Sequence, residues 1–311
     1  MVEDGPVLVI GAAAIDVKGT SHQRLLPKNY NLGLIHTTFG GVARNIAENL
    51  ARLDVNVILL TALGDDIAGD SVHFHCTRSG INTDYIRRCP EARTSQFMAV
   101  FDKDHALEAA ISDFEIMPFV DVPYLDANRD LFAEAQMIVI DLNLTDDALR
   151  YAVELADQYN LPIVADPTSP VRAGRLQPFL DRMYLVTPNA AETTALCGLD
   201  VPAHDLDTAI QAAHNLISIG TEIAIVTLGE RGLAYSDGTN HGHIPAVKTK
   251  IVDETGAGDA LTAAVIFGLL NDLPLDEAMR LGVTAASLTL RCKESVSPDL
   301  TPDLLYSSLV V

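Results

Sequence analysis

The stretch Asp253-Glu254-Thr255-Gly256-Ala257-Gly258-Asp259 carries the residue types and spacing most suggestive of chemistry. It is expected to follow a short strand, Lys250–Val252, and to open an apolar helix over Asp259–Leu270. Gly256 and Gly258 permit a tight turn and leave backbone N–H groups uncovered at a helix start. Orphan amides and the helix dipole both attract an anion there. Asp259, in the first turn, could accept a hydroxyl proton while the amides stabilise a transferring phosphoryl group. The same residues also fit a plain glycine-rich turn with an N-terminal helix charge, and the motif alone does not choose between the two.

Two further patterns add weight. Gly40-Gly41-Val42-Ala43-Arg44-Asn45 again places glycines at a helix start, where backbone can approach a ligand closely. Asn45, one turn inside, can both donate to and accept from a hydroxyl. Asp16 lies just beyond the first expected strand, at the carboxyl end where open α/β sheets bind ligands, and could accept two adjacent hydroxyls. A lone Asp there is otherwise a turn residue.

These residues need a scaffold, and the rest of the chain supplies an α/β pattern. Apolar strand candidates are Val7–Gly11, Val55–Thr61, Met137–Asp141, Pro162–Asp166, Met183–Thr187 and Ile223–Leu228. Helix candidates between and after them are Val42–Leu53, Thr145–Tyr159, Asp205–Ile219, Asp259–Leu270 and Leu275–Leu290. Strands apolar throughout, alternating with helices, imply a mostly parallel sheet covered on both faces. Two stretches, Val17–Phe39 and Arg93–Ser112, have no helices to cover them and read as inserted strands forming a small separate sheet, a lid, or as surface hairpins. The chain is expected to be one domain over residues 1–311, with lid segments near 17–39 and 93–112.

The chain has 311 residues and a net charge of −21, from 42 acidic against 21 basic side chains. That charge repels nucleic acid and anionic membrane, so a phosphate-bearing ligand must be held locally. No apolar run is long enough to span a bilayer and the N-terminus does not resemble a signal peptide, so a cytoplasmic location is expected. Cys76, Cys89, Cys197 and Cys292 are scattered and are read as reduced thiols. A dinucleotide-binding oxidoreductase is disfavoured, because Gly11-Ala12-Ala13-Ala14-Ile15-Asp16 lacks the G-x-G-x-x-G turn. The P-loop G-x-x-x-x-G-K-[ST] is absent too.

Gly11…Asp16, Gly40-Gly41…Asn45 and Thr255-Gly256-Ala257-Gly258-Asp259, in that order, resemble the PfkB/ribokinase family of carbohydrate kinases over almost the whole chain. The resemblance implies a ribokinase-like three-layer α/β/α sandwich with a small β-sheet lid, and transfer of the ATP γ-phosphate to a substrate hydroxyl. It implies that Asp16, Gly40, Gly41 and Asn45 bind the acceptor, that Gly256, Ala257 and Gly258 form the anion hole, and that Asp259 is the base. Asn189-Ala190-Ala191-Glu192, also readable as a helix capping box, would place Glu192 near Mg²⁺ through water. Thr227-Leu228-Gly229-Glu230-Arg231-Gly232 would be the nucleotide-side turn, and Ala286 would border the adenine. Asp253 resembles a monovalent-cation ligand, which would make K⁺ an activator. Family lids often pair, so a homodimer through the lid is expected.

Within the family, Asp16-Val17-Lys18-Gly19-Thr20-Ser21-His22, Arg93-Thr94-Ser95 and Ser297-Pro298-Asp299-Leu300 resemble the branch that phosphorylates the 5′-hydroxyl of pseudouridine. Thr94 is then the candidate for a base contact. Ala43 departs from the family pattern, where a glycine is usual. Ribose, fructose or adenosine kinases of the same family are the alternative, and a non-catalytic nucleoside-binding protein is the alternative of another class.

Overall fold

Val7–Ile10 is apolar at every position because both of its faces are covered. Leu8 and Ile10 enter a core shared with the helices Asp146–Tyr159 and Leu206–Ile219. Val7 and Val9, pointing the other way, enter a second core under Val42–Arg52, Ala257–Leu270 and Leu275–Thr289. This period-2 division between two apolar layers makes the three-layer α/β/α sandwich. The computed structural model describes residues 5–309.

Across the large sheet the strands run in the order His241–Ile244, Leu233–Ser236, Ile223–Thr227, Leu185–Val186, Ile163–Asp166, Met137–Asp141, Val7–Ile10 and Val57–Leu60. The first two pair antiparallel with their neighbours and all other pairings are parallel. All six expected strands are present, Met137–Asp141 over its expected range and the other five shorter. Lys250–Val252 is not a strand. Pro245 ends the antiparallel edge, having no N–H for a ladder, and the chain then crosses toward the site, held by Val252 N–H to the Leu290 carbonyl at 2.8 Å. The parallel register sets Asp141 beside Asp166 at the carboxyl edge of the sheet, where α/β folds bind their ligands.

The two stretches without helices pair with each other. They form a four-stranded sheet in the order Gly33–Gly40, Ala14–Ser21, Ser95–Phe101 and Leu107–Asp113. The last two strands turn at residues 102–106, where Asp102 Oδ1 accepts the N–H of Asp104 and of Ala106. Along Ala14–Ser21, Ala14, Asp16 and Lys18 are buried on one face, and the register aligns them with Gly40, Thr38 and His36 on one side and Ser95, Phe97 and Ala99 on the other. The opposite face leaves Ile35, Met98 and Ile111 largely in solvent.

Candidate active site

The helix bearing Asp259 begins at Ala257, two residues earlier than expected, with Gly256 as its N-cap at φ 81°. Only glycine suits that angle, and a β-carbon there would collide with the Ser295 carbonyl. Gly258 is different: its backbone is ordinary and the space where a side chain would stand is open. The amides of Ala257, Gly258 and Asp259 head the helix, where no preceding turn supplies acceptors. Ala257 makes only a long bond of 3.5 Å to the Glu254 carbonyl.

Asp259 is buried, with 8% of its surface exposed. Its Oδ2 accepts the Asn45 side-chain amide at 2.6 Å, and Oδ1 has no partner among the described residues. Burial pushes its carboxyl up to about 7, against the opposing pull of Asn45 and the Arg44 guanidinium. A carboxylate with that affinity for a proton and one free oxygen can accept a proton from a hydroxyl near neutral pH.

Asn45 is itself held. Its Oδ1 accepts from Arg44, a fully buried guanidinium that also donates to the Gly40 and Phe39 carbonyls and pairs with Glu48 one turn on. Glu48 in turn meets Arg52 and His75, and the His75 hydrogen bond, the Arg44 charge and the Arg52 hydrogen bond hold its carboxyl down at about 2 in spite of burial. Gly40 and Gly41 serve the protein's own packing. A side chain at Gly40 would strike the Asp16 carboxylate, and one at Gly41, with φ 91°, would strike the Ala12 carbonyl. Asp16, 6% exposed, accepts no hydrogen bond from the described residues. Burial raises its pKa although Arg44 and Lys18 oppose this. It is an acceptor waiting for donors.

Asp141, buried at the carboxyl edge, ties this corner together. Its Oδ2 accepts the N–H of Ala12 at 2.9 Å and of Ala43 at 3.1 Å, and its Oδ1 that of Asn143. Ala43 packs in the core, so its methyl does not intrude on the site.

On the other side, Asn189 and Glu192 form a reciprocal capping box with bonds of 2.8 and 2.9 Å. Glu192 is buried, which raises its pKa although the Asn189 bonds oppose this. Asp166 is pushed well above its ordinary value by burial, then by the Asp259 and Glu192 charges facing it. Thr227 pairs with Asn189, and the turn Gly229–Arg231 leads to Gly232 at φ 89°. An open cleft of about 490 Å³ is lined by Asn189, Ala191, His204, Thr227, Gly229 and Arg231. A second of about 450 Å³ lies among Ala246, Lys248, Arg280, Val283 and Thr284. Ala286 does not line it; it is half-buried against the core.

Two expected site residues are committed elsewhere. Thr94 is wholly buried, and its hydroxyl donates to Asp66 at 2.7 Å and accepts the Gly64 N–H at 3.0 Å. It anchors the strand start instead of offering a hydroxyl to a base. The Asp253 carboxylate is bonded by both oxygens to Lys18. Conversely, Thr38 and Ser95 carry buried hydroxyls with no partner among the described residues, on the same lid face as Asp16.

Comparison with known proteins agrees with this geometry. The family model for pfkB family carbohydrate kinases matches residues 5–302. The chain belongs to the PfkB carbohydrate kinase family. Among its relatives, the pseudouridine kinase of Escherichia coli K12 is 32% identical, over 97% of this chain and 95% of that kinase. The guanosine-inosine kinase of Exiguobacterium acetylicum is 28% identical, over 96% and 98%. The ribokinase of Arabidopsis thaliana, solved with ribose and ATP, superposes with a TM-score of 0.84 at 21% identity, over 99% of each chain, and shows the shared ribokinase-like fold. As a PfkB kinase the chain is an ATP-dependent sugar or nucleoside kinase, and Mg²⁺ accompanies ATP. No described helix is long and apolar enough to cross a membrane.

Proposed function

We propose that this PfkB kinase phosphorylates the 5′-hydroxyl of a nucleoside, pseudouridine before others. The observation that carries the reading is the unpartnered Asp16 carboxylate beside the buried Asn45–Asp259 pair, under a lid whose Thr38 and Ser95 hydroxyls also lack partners. Asp16 would take the two ribose hydroxyls and place the 5′-oxygen at Asp259 Oδ1. Asp259 accepts its proton as the oxygen attacks the γ-phosphorus, the bond from that phosphorus to the β,γ-bridging oxygen breaks and ADP leaves. The amides at the head of Ala257–Leu270 meanwhile receive the charge on the phosphoryl oxygens. Thr38 and Ser95 replace Thr94 as candidates for the base contact. Pseudouridine carries one more ring N–H than uridine, and a hydroxyl oxygen can accept it. The pseudouridine kinase relative supports the same acceptor.

No group of three or more His, Cys or acidic side chains able to ligate a metal occurs among the described residues. That suits Mg²⁺, which takes one or two carboxylates together with phosphates and waters. Glu192 and Asp166, buried and short of positive charge, are the residues that would hold it. When bound, it would neutralise phosphate charge beside these acids. Asn189, Thr227 and Gly229 would flank the nucleotide in the adjoining cleft, with Gly232 closing the turn that carries Gly229. The exposed apolar lid face at Ile35, Met98 and Ile111 supports a homodimer through the lid, and a cytoplasmic setting fits a nucleoside and ATP as substrates. The test is ADP formation with Mg-ATP across pseudouridine, uridine, guanosine, adenosine, ribose and fructose. Pseudouridine should give the highest kcat/KM; a preference for ribose or fructose would overturn the nucleoside reading.

A further inference from the structure

The loop that forms the anion hole is fastened from above. Lys18, on the lid strand two residues beyond Asp16, donates its ammonium to Asp253 Oδ1 at 2.8 Å, to Oδ2 at 2.7 Å and to the Thr255 hydroxyl. The Thr255 N–H closes the loop on Asp253 Oδ1 at 2.9 Å. Lys18 is 8% exposed and Asp253 half-buried, so the contact is partly shielded from water. The family resemblance assigns Asp253 to a monovalent cation. Its carboxylate does not fit one here, since an alkali ion bound to it would stand against an ammonium of the same sign.

We propose that the Lys18 ammonium replaces that cation, so that the chain brings its own positive charge to the anion-hole loop. Lys18 is therefore a positioning residue acting through Asp253 and Thr255, the latter directly preceding Gly256. Because Asp16 and Lys18 share one strand face, the strand fixes the spacing between the Asp16 carboxylate and the loop-holding charge. An exposed pair of this kind contributes little. A partly shielded one, bonded to two loop residues, fixes geometry at the point where catalysis depends on it. Only the rate measurement below rests on the kinase assignment.

The experiment compares wild type, Lys18→Met and Lys18→Arg in KCl, NaCl and tetramethylammonium chloride at matched ionic strength. Wild type and Lys18→Arg should turn over equally in all three. Lys18→Met should lose about tenfold or more in kcat with little change in the KM for ATP. In that variant K⁺ should restore at least about threefold over tetramethylammonium, the cation entering the vacated place. Without substrate, K⁺ should raise the Tm of Lys18→Met and leave that of wild type unchanged, a readout that does not need the acceptor. Should Lys18→Met not fold, Asp253→Asn should show the same kcat loss with no rescue by K⁺. Several-fold activation of wild type by K⁺, or wild-type kcat in Lys18→Met or Asp253→Asn, would overturn the proposal.

Discussion

Asn45 donates its side-chain amide to Asp259 Oδ2 at 2.6 Å, joining two helix starts 214 residues apart in the chain. The bond orients the Asp259 carboxylate and leaves its other oxygen without a partner among the described residues, where the proposed mechanism brings the acceptor hydroxyl. Asp259→Asn keeps the size and polarity of the side chain but removes the proton acceptor. Turnover should fall by roughly 10² to 10⁴, with ATP affinity by calorimetry nearly unchanged. Near-normal turnover would remove Asp259 from the chemistry.

The pH dependence follows from the same burial. Burial raises Asp259 from 3.8 to about 7, so below that value the free enzyme would hold it protonated and without the charge the proposed base needs. The acceptor kcat/KM should therefore rise with pH and level off above about 7. The stability effect has the opposite sense. The protonated form is the one the fold accepts, so its stabilising effect is complete below 3.8 and lost as pH rises through about 7. Asp259→Asn, neutral at every pH, should thus have a higher Tm than wild type at pH 8 and a similar one at pH 4. A flat kcat/KM profile between pH 5 and 8 would contradict this account.

Arg44 gives a structural prediction. It is buried, pairs with Glu48 and fixes the amide of Asn45. Arg44→Met leaves the Glu48 charge in the core with Arg52, His75 and the Ser79 hydroxyl to meet it. The loss should be roughly 3 kcal/mol in urea unfolding. A loss below about 1 kcal/mol would mean that the remaining cations suffice.

Much of this was legible in the sequence for a specific reason. Val7–Ile10 and Met137–Asp141 are apolar on both faces because helices cover both, so composition alone marks them as central parallel strands. Gly256 and Asp259 are neighbours in the chain, so their joint role is local and visible. The misreadings concern partners that sequence does not bring together. Thr94 looked free because Asp66 lies 28 residues away, and Asp253 looked free because Lys18 lies 235 residues away. Arg44 and Glu48 stand at i,i+4 helical spacing, so their pairing could have been read beforehand even though their burial could not.

The last prediction concerns the acceptor. Thr38 and Ser95 are buried on the face of the lid that carries Asp16, and neither hydroxyl has a partner. A buried polar group without a partner is costly, about 1 to 3 kcal/mol, unless a ligand satisfies it. If one of these hydroxyls accepts the extra ring N–H of pseudouridine, removing it should cost binding of that nucleoside and not of uridine. Thr38→Val and Ser95→Ala are near-isosteric and should fold, each relieving an unpaired group. The variant that removes the contact should lower kcat/KM for pseudouridine by about 10- to 100-fold while uridine changes by less than about threefold, narrowing the preference. The effect should fall on KM more than on kcat, because the base lies away from the reacting oxygen. If both variants keep the full preference for pseudouridine, the lid hydroxyls do not read the base. If pseudouridine and uridine fall together, the hydroxyls hold the ribose, and the discrimination comes from another part of the lid.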